Sequence, residues 1–437
     1  MSAPGFASIQ RRIAATLRAP GPLHTLLIIV AASMAIIGGW CEAIQIRRGM
    51  VVSGLNRPVG WAVYITDFVF WVGIAHSGTL ISAVLFLLRA RFRTAVYRVA
   101  EAMTVFGVMT AGLFPMIHLG RPWLAYWLFP YPNQRQLWVN FRSPLMWDVF
   151  AVSTYFIVSS IFLVVGIVPD AAALRDTTTG WRRRLYSIFA AGWRGTDEEW
   201  RHYLRAYLYF AAFATPLVFS VHSVVSWDFA VSILPGWHST IFPPYFVAGA
   251  IFSGMAMVVT LLIPLRRAFH LQDVITPWHI DRLARVVLFT SLIVSYSYAL
   301  EFILAARGGE SAERSTLWYR AAGHYAPLFW TMIACNSIIP LSLFSRRMRG
   351  STIGLLVVCL LVNVGMWLER FVILVTSLSH DRIPFDWRTY AVRPIEVGIT
   401  LGSFGWFFFW FLLFVRLLPS VSIAEMKEEA VHEVTHV

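Results

Sequence analysis

Ten apolar runs, each close to the ~20 residues a helix needs to cross a bilayer core, constrain this 437-residue chain more than any other feature. The first runs from about Leu23 to Trp40. The others cover roughly 60–88, 99–118, 147–169, 204–226, 244–265, 284–305, 324–344, 352–376 and 396–418. A backbone in hydrocarbon must satisfy its own hydrogen bonds, so runs of this length predict helices. The expected fold is an all-α integral membrane protein of about ten transmembrane helices, in which spans 2–5 and 6–9 can form two similar bundles. The chain is 58% hydrophobic and 14% charged, and its mean hydropathy of +0.64 excludes a soluble globular surface.

Charge then sets topology rather than a partner. All of the 36 basic residues except Lys427 are arginine, and the net charge of +13 is spread over short loops. That spacing points away from nucleic acid. Arginine is richer in the N-terminal segment and after even-numbered spans, and the loop after span 5 has none. Both termini are therefore expected in the cytoplasm. Cys41, Cys335 and Cys359 are far apart, so no metal, iron-sulfur or haem attachment by the chain's own cysteines is expected.

The chain divides into a cytoplasmic N-terminal segment (1–22), a first helix with its outer loop (23–59), a first bundle (60–228), a second bundle (229–376), a last helix (377–418) and a cytoplasmic tail (419–437). No small-residue cleavage site follows the first apolar run, so it reads as a retained helix. WRRRLY (181–186) and TDEEWRHY (196–203), between spans 4 and 5, read as an amphipathic segment on the membrane surface.

The chemistry concentrates between Pro115 and Tyr155. His118 closes span 3, an aromatic and proline-rich loop follows, and Asp148 opens span 4. Asp228 lies at the end of span 5, so all three occupy helix ends on one side of the membrane. A helix-dipole role explains Asp148 and His118 equally well from spacing alone. The functional reading is proton exchange with a two-electron, two-proton carrier dissolved in the bilayer. Arg121, Arg142, Ser143 and Trp147 fall in the same neighbourhood, and Trp123, Tyr126, Trp127 and Trp138 suit either an access route or an interfacial aromatic belt. Deeper acids and a histidine (Asp67, His76, Glu101, Glu301 and Glu369) are candidates for a proton path or for interhelical pairs. Arg370 adjoins Glu369 but points about 100° away on a helix, so their pairing is not automatic. Only His76 reads as central among the histidines, which leaves no opposing axial ligand, and no haem is expected.

The stretches GLNRPVGWAVYITDFVFWVGIAHSGTLISAVL, AEAMTVFGVMTAGLFPMIHLGRPW, PYPNQRQLWVNFRSPLMWDVFAVSTY and HSVVSWDFAVSILPGWHSTIFPPYFVAGAIFSG resemble the NrfD or polysulfide-reductase membrane-subunit family. Within it they resemble the quinol-oxidising membrane subunit of alternative complex III. The resemblance implies two four-helix bundles plus two flanking helices, in a bacterial inner membrane. It implies menaquinol oxidation near the periplasmic face, with His118, Asp148 and Asp228 matching the quinol-site residues. Partners would be c-type haem subunits, a periplasmic iron-sulfur subunit and a second NrfD-like membrane subunit. Their setting would be respiratory or photosynthetic electron transfer, with protons released and translocation conceivable. Two alternatives stand beside it: the membrane anchor of a molybdopterin oxidoreductase, and a secondary transporter, which would place its site near the midplane with broken helices.

Overall fold

The computed structural model describes residues 6–17, 21–129, 141–308 and 310–427. Among the described residues ten helices are long and apolar enough to cross a membrane: spans 1 (Pro22–Arg48), 2 (Val63–Leu87), 3 (Tyr97–His118), 4 (Pro144–Arg175), 5 (Asp197–Ala230), 6 (Phe242–Ala268), 7 (Pro277–Gly308), 8 (Ala326–Phe344), 9 (Thr352–Ser379) and 10 (Pro394–Leu417). No strand occurs among the described residues. The protein is an all-α integral membrane protein. Every apolar run is found, and most helices extend beyond it because polar ends can be capped outside the hydrocarbon. Span 5 starts with a capping box in which Thr196 and Glu199 satisfy each other's backbone N–H groups.

Spans 2 to 5 close a ring of neighbours, as do spans 6 to 9, and the two rings meet mainly through spans 2, 5, 6 and 9. Spans 2 and 6 are buried on nearly every side. Spans 1 and 10 lie outside the rings and pack along each other. Their approach is set by glycine: a Cβ added at Gly38 would sit 2.6 Å from the Gly402 Cα. Small residues at such a crossing let two backbones gain dispersion contacts that lipid tails cannot supply.

Buried arginines, each bonded to acids, fasten the bundles. Arg98 at the start of span 3 donates to Glu101 Oε2 (3.0 Å), Asp170 Oδ2 (3.0 Å) and the Gly166 carbonyl (2.6 Å). Asp170 Oδ1 in turn accepts the backbone N–H groups of Ile423 and Ala424 at 2.9 Å, which straps the chain beyond span 10 across the first bundle. Arg93 binds Glu425 in the same strap at 2.8 Å. In the second bundle Arg320 donates to Glu301 (2.6 Å), Thr376 (2.8 Å), Ser377 (2.8 Å) and the Gly236 carbonyl (3.0 Å). Arg370 pairs with its neighbour Glu369, which also accepts from the Tyr298 hydroxyl. The helical angle between residues 369 and 370 therefore does not keep the two side chains apart. Glu369 lies well inside span 9 rather than near its end, because the helix continues to Ser379.

Candidate functional site

The start of span 4 and the end of span 5 run side by side. Trp147 and Trp227 meet edge to face with 5.6 Å between ring centroids, and the next residue on each helix is a carboxylate. Asp148 and Asp228 share a side-chain hydrogen bond. Two carboxyl groups can bond this way only when one of them holds a proton. The Oδ1 atom of each is buried without any partner, and no arginine pairs with either acid among the described residues.

His118 ends span 3 with its Nδ1 buried and unpartnered. It is half-buried, and among the described residues it makes no hydrogen bond to either carboxyl. The expected trio is thus a bonded pair with a histidine at the neighbouring helix end. The short helix that carries His118, Leu113–His118, is tied to span 1 instead, because Gln45 Nε2 donates to the Ile117 carbonyl at 3.0 Å. Gln45 also bonds the Tyr64 hydroxyl and Glu42. Sequence reasoning missed this Glu42, Gln45 and Tyr64 group because span 1 was expected to end near Trp40. The signal was present in CEAIQ, a polar step recurring on one helix face.

Arg121 and Arg142 are exposed, Trp147 donates to the Phe141 carbonyl at 2.6 Å, and Ser143 precedes the first turn of span 4 without capping it. Trp123, Tyr126 and Trp127 are exposed. Trp138 lies outside the described residues.

The deeper candidates are fully bonded with one exception. Asp67 accepts from Trp367 Nε1 (2.7 Å) and Thr400 Oγ1 (2.6 Å), joining spans 2, 9 and 10. Glu101 accepts from Arg98 and from the Tyr207 hydroxyl at 3.1 Å. His76 is the exception. Its Nδ1 meets the Val72 carbonyl at 2.7 Å, and its Nε2 is unpartnered.

Opposite His76 stands His222, with 4.6 Å between ring centroids, fully buried and with both nitrogens unpartnered. This corrects the expectation that His76 has no central counterpart. Span 5 was expected to end near residue 226, whereas it runs on to Ala230, and His222 lies buried in the core. At 4.6 Å the rings stand too close for a macrocycle between them. Tyr155 completes the group, its ring 5.0 Å from His76 and its hydroxyl 2.7 Å from Thr79 Oγ1. Among the described residues no three His, Cys, Asp or Glu side chains group as metal ligands.

A family model described as Polysulphide reductase, NrfD, matches residues 51–380. The chain belongs to the NrfD family. The matched stretch takes in both four-helix rings and leaves spans 1 and 10 outside. NrfD-type relatives include a putative dimethyl sulfoxide reductase membrane subunit of Halobacterium salinarum, 25% identical over 85% of this chain and 86% of its own length. A selenate reductase subunit of Mesobacillus selenatarsenatis is 21% identical over 95% and 97%. An Hdr-like menaquinol oxidoreductase integral membrane subunit of Archaeoglobus fulgidus is 22% identical over 54% and 49%.

Proposed function

We propose that this chain is the quinone-exchanging membrane subunit of a multi-subunit oxidoreductase whose catalytic subunit is of the molybdopterin type. The observation that carries the reading is the Asp148 and Asp228 pair. It is a proton-sharing carboxyl pair at adjoining helix ends, with one free oxygen on each acid. A quinol gives up two protons with its two electrons and a quinone takes up as many, so its hydroxyls need acceptors and donors of this kind. His118, at the next helix end with a free Nδ1, is the third group suited to the head group.

The electrons pass to or from an iron-sulfur partner subunit, a reading supported by three cysteines that are far apart in the sequence. Menaquinol or menaquinone is the substrate. The termini face the cytoplasm of a bacterial inner membrane, and the carboxyl pair the opposite side. Asp148 and Tyr155 are seven residues apart on span 4, hence on one face with about 10 Å of rise between them. That face leads from the pair to His76 and His222, which extends the candidate proton path of Asp67, His76, Glu101, Glu301 and Glu369.

The relatives named as dimethyl sulfoxide and selenate reductase subunits support the molybdopterin-anchor reading. The narrower assignment to alternative complex III, with c-type haem subunits and a second NrfD-like subunit, has only the local resemblance of stretches such as SPLMWD and SWDFAVS. The test is quinol and quinone turnover by the intact complex, comparing wild type with Asp148→Asn and Asp228→Asn at equal amounts of assembled complex. Turnover should fall by about 10² or more in each. Wild-type rates in both variants would remove the pair from the chemistry.

A further inference from the structure

The helix Gly180–Phe189 between spans 4 and 5 takes no part in the quinone reading, yet its two faces are sharply different. At about 100° per residue, Leu185, Tyr186 and Phe189 form an inward stripe. Tyr186 is 1% exposed, and Leu185 and Phe189 pack partly buried against the core. Arg182 belongs to this inner side, where it donates to the Leu17 carbonyl. The outer side carries Arg183, Arg184 and Ser187, flanked by Trp181 and Ile188, which are 61% and 75% exposed.

Two observations say what covers that outer face. The first is position: span 4 ends at Arg175 and this helix begins at Gly180, so it lies at the boundary of the membrane. The second is charge against apolarity on one surface. Arg183 and Arg184 make no salt bridge among the described residues. The neighbouring Asp176 is held by Arg175 at 2.8 Å, and the acids Asp197 and Glu198 sit on the first turn of span 5. The outer residues, with Gly180, form one open surface along the helix. Trp181 and Ile188 share one flank, where an indole and an aliphatic side chain suit the boundary between head groups and acyl chains. The guanidinium groups beside them can reach outward to phosphate oxygens.

We infer that this face is a binding site for an anionic phospholipid, held by Arg183 and Arg184 at its head group and by Trp181 and Ile188 along its upper acyl chain. A soluble phosphate would satisfy the arginines and leave the two apolar side chains uncovered. A protein partner would need a carboxylate-bearing surface submerged at the level of the head groups.

The experiment uses the full chain with its co-purifying subunits, in nanodiscs of phosphatidylcholine with or without phosphatidylglycerol, and reads the retained lipid by native mass spectrometry after mild extraction. Wild type should retain phosphatidylglycerol over phosphatidylcholine, with a preference that weakens as ionic strength rises. Arg183→Gln with Arg184→Gln should cut phosphatidylglycerol retention about tenfold or more, with monodisperse elution kept. Millimolar inorganic phosphate should displace none of it. Equal retention of the two lipids by wild type, or a preference insensitive to salt, overturns the site without reference to any variant. So does unchanged retention in a monodisperse double variant, displacement by phosphate, or a cross-linker at Ile188→Cys that captures a co-purifying subunit instead of lipid.

Discussion

Arg98→Met should be the most damaging single change in the first bundle. The Arg98 side chain is 0% exposed, and so in effect are the two acids it holds, Glu101 at 2% and Asp170 at 0%. The substitution keeps much of the aliphatic stem but removes both ion pairs and the bond to the Gly166 carbonyl. Removing one partner of a buried pair costs about 3–5 kcal/mol, because the remaining charge stays desolvated. Here each acid keeps other donors, Tyr207 for Glu101 and two backbone N–H groups for Asp170. The lower half of that range is expected, a factor of about 10² to 10³ in the folding equilibrium. The assay is unfolding in mixed micelles of mild detergent and SDS, followed by tryptophan fluorescence. The reasoning also predicts a rescue. Arg98→Met combined with Glu101→Gln and Asp170→Asn removes the stranded charges while the amide oxygens still accept, so most of the loss should return, as neutral replacements of buried ion clusters often cost little. A single variant within ~1 kcal/mol of wild type, or a triple variant no better than the single, would refute this account.

Three further changes test separate parts of the fold. Gly38→Leu should separate spans 1 and 10 at a cost of about 1–3 kcal/mol, whereas Gly39→Leu, with nothing within 4 Å of its added Cβ, should be neutral in the same assay. Burial holds the Glu425 carboxyl above the usual glutamate range against the pull of Arg93. Its folded pKa is raised, so its contribution is complete below about pH 4.3 and is lost as pH rises through the folded value. Glu425→Gln should flatten that part of the stability profile. His380 is stacked between Tyr319 and Trp387, with centroids 4.5 and 3.6 Å away, and burial lowers its pKa. Its contribution should be present above about pH 6.5 and lost as pH falls, and His380→Phe should remove that slope.

What the sequence made legible follows from which interactions are local. Length and apolarity are local properties, so all ten spans could be read, and the glutamates and aspartates inside them stood out against an apolar background. Their partners could not be read, because each pairing is set by packing between distant segments. Arg98 meets Asp170 across 72 positions, and Trp367 meets Asp67 across 300. Helix ends were the second gap. Apolarity marks the hydrocarbon, while capping fixes where a helix stops, so span 1 was read short at Trp40 and hid Glu42 and Gln45. Span 5 was likewise read as ending near residue 226, four residues short, and His222 was not read as central.

The bonded acids and the carboxyl pair are best understood against each other. Asp67, Glu101, Asp170, Glu301, Glu369 and Glu396 all accept from arginine, tyrosine, tryptophan, threonine or backbone N–H groups that lie on other segments or cap their own helix. The bonds of a carboxylate so engaged hold helices together, and proton exchange there would disturb them. Among the described residues Asp148 and Asp228 have only one another, and their shared bond already requires a proton that either can hold. Exchanging that proton with a ligand disturbs only the bond between the two acids themselves, and none of the bonds made by the other acids. A membrane bundle that must stay folded while protons come and go would keep its exchange groups apart from the acids that bind its helices together. By this division of labour the pair at the ends of spans 4 and 5, rather than the more deeply buried and more numerous acids, is where a quinone head group should meet the protein.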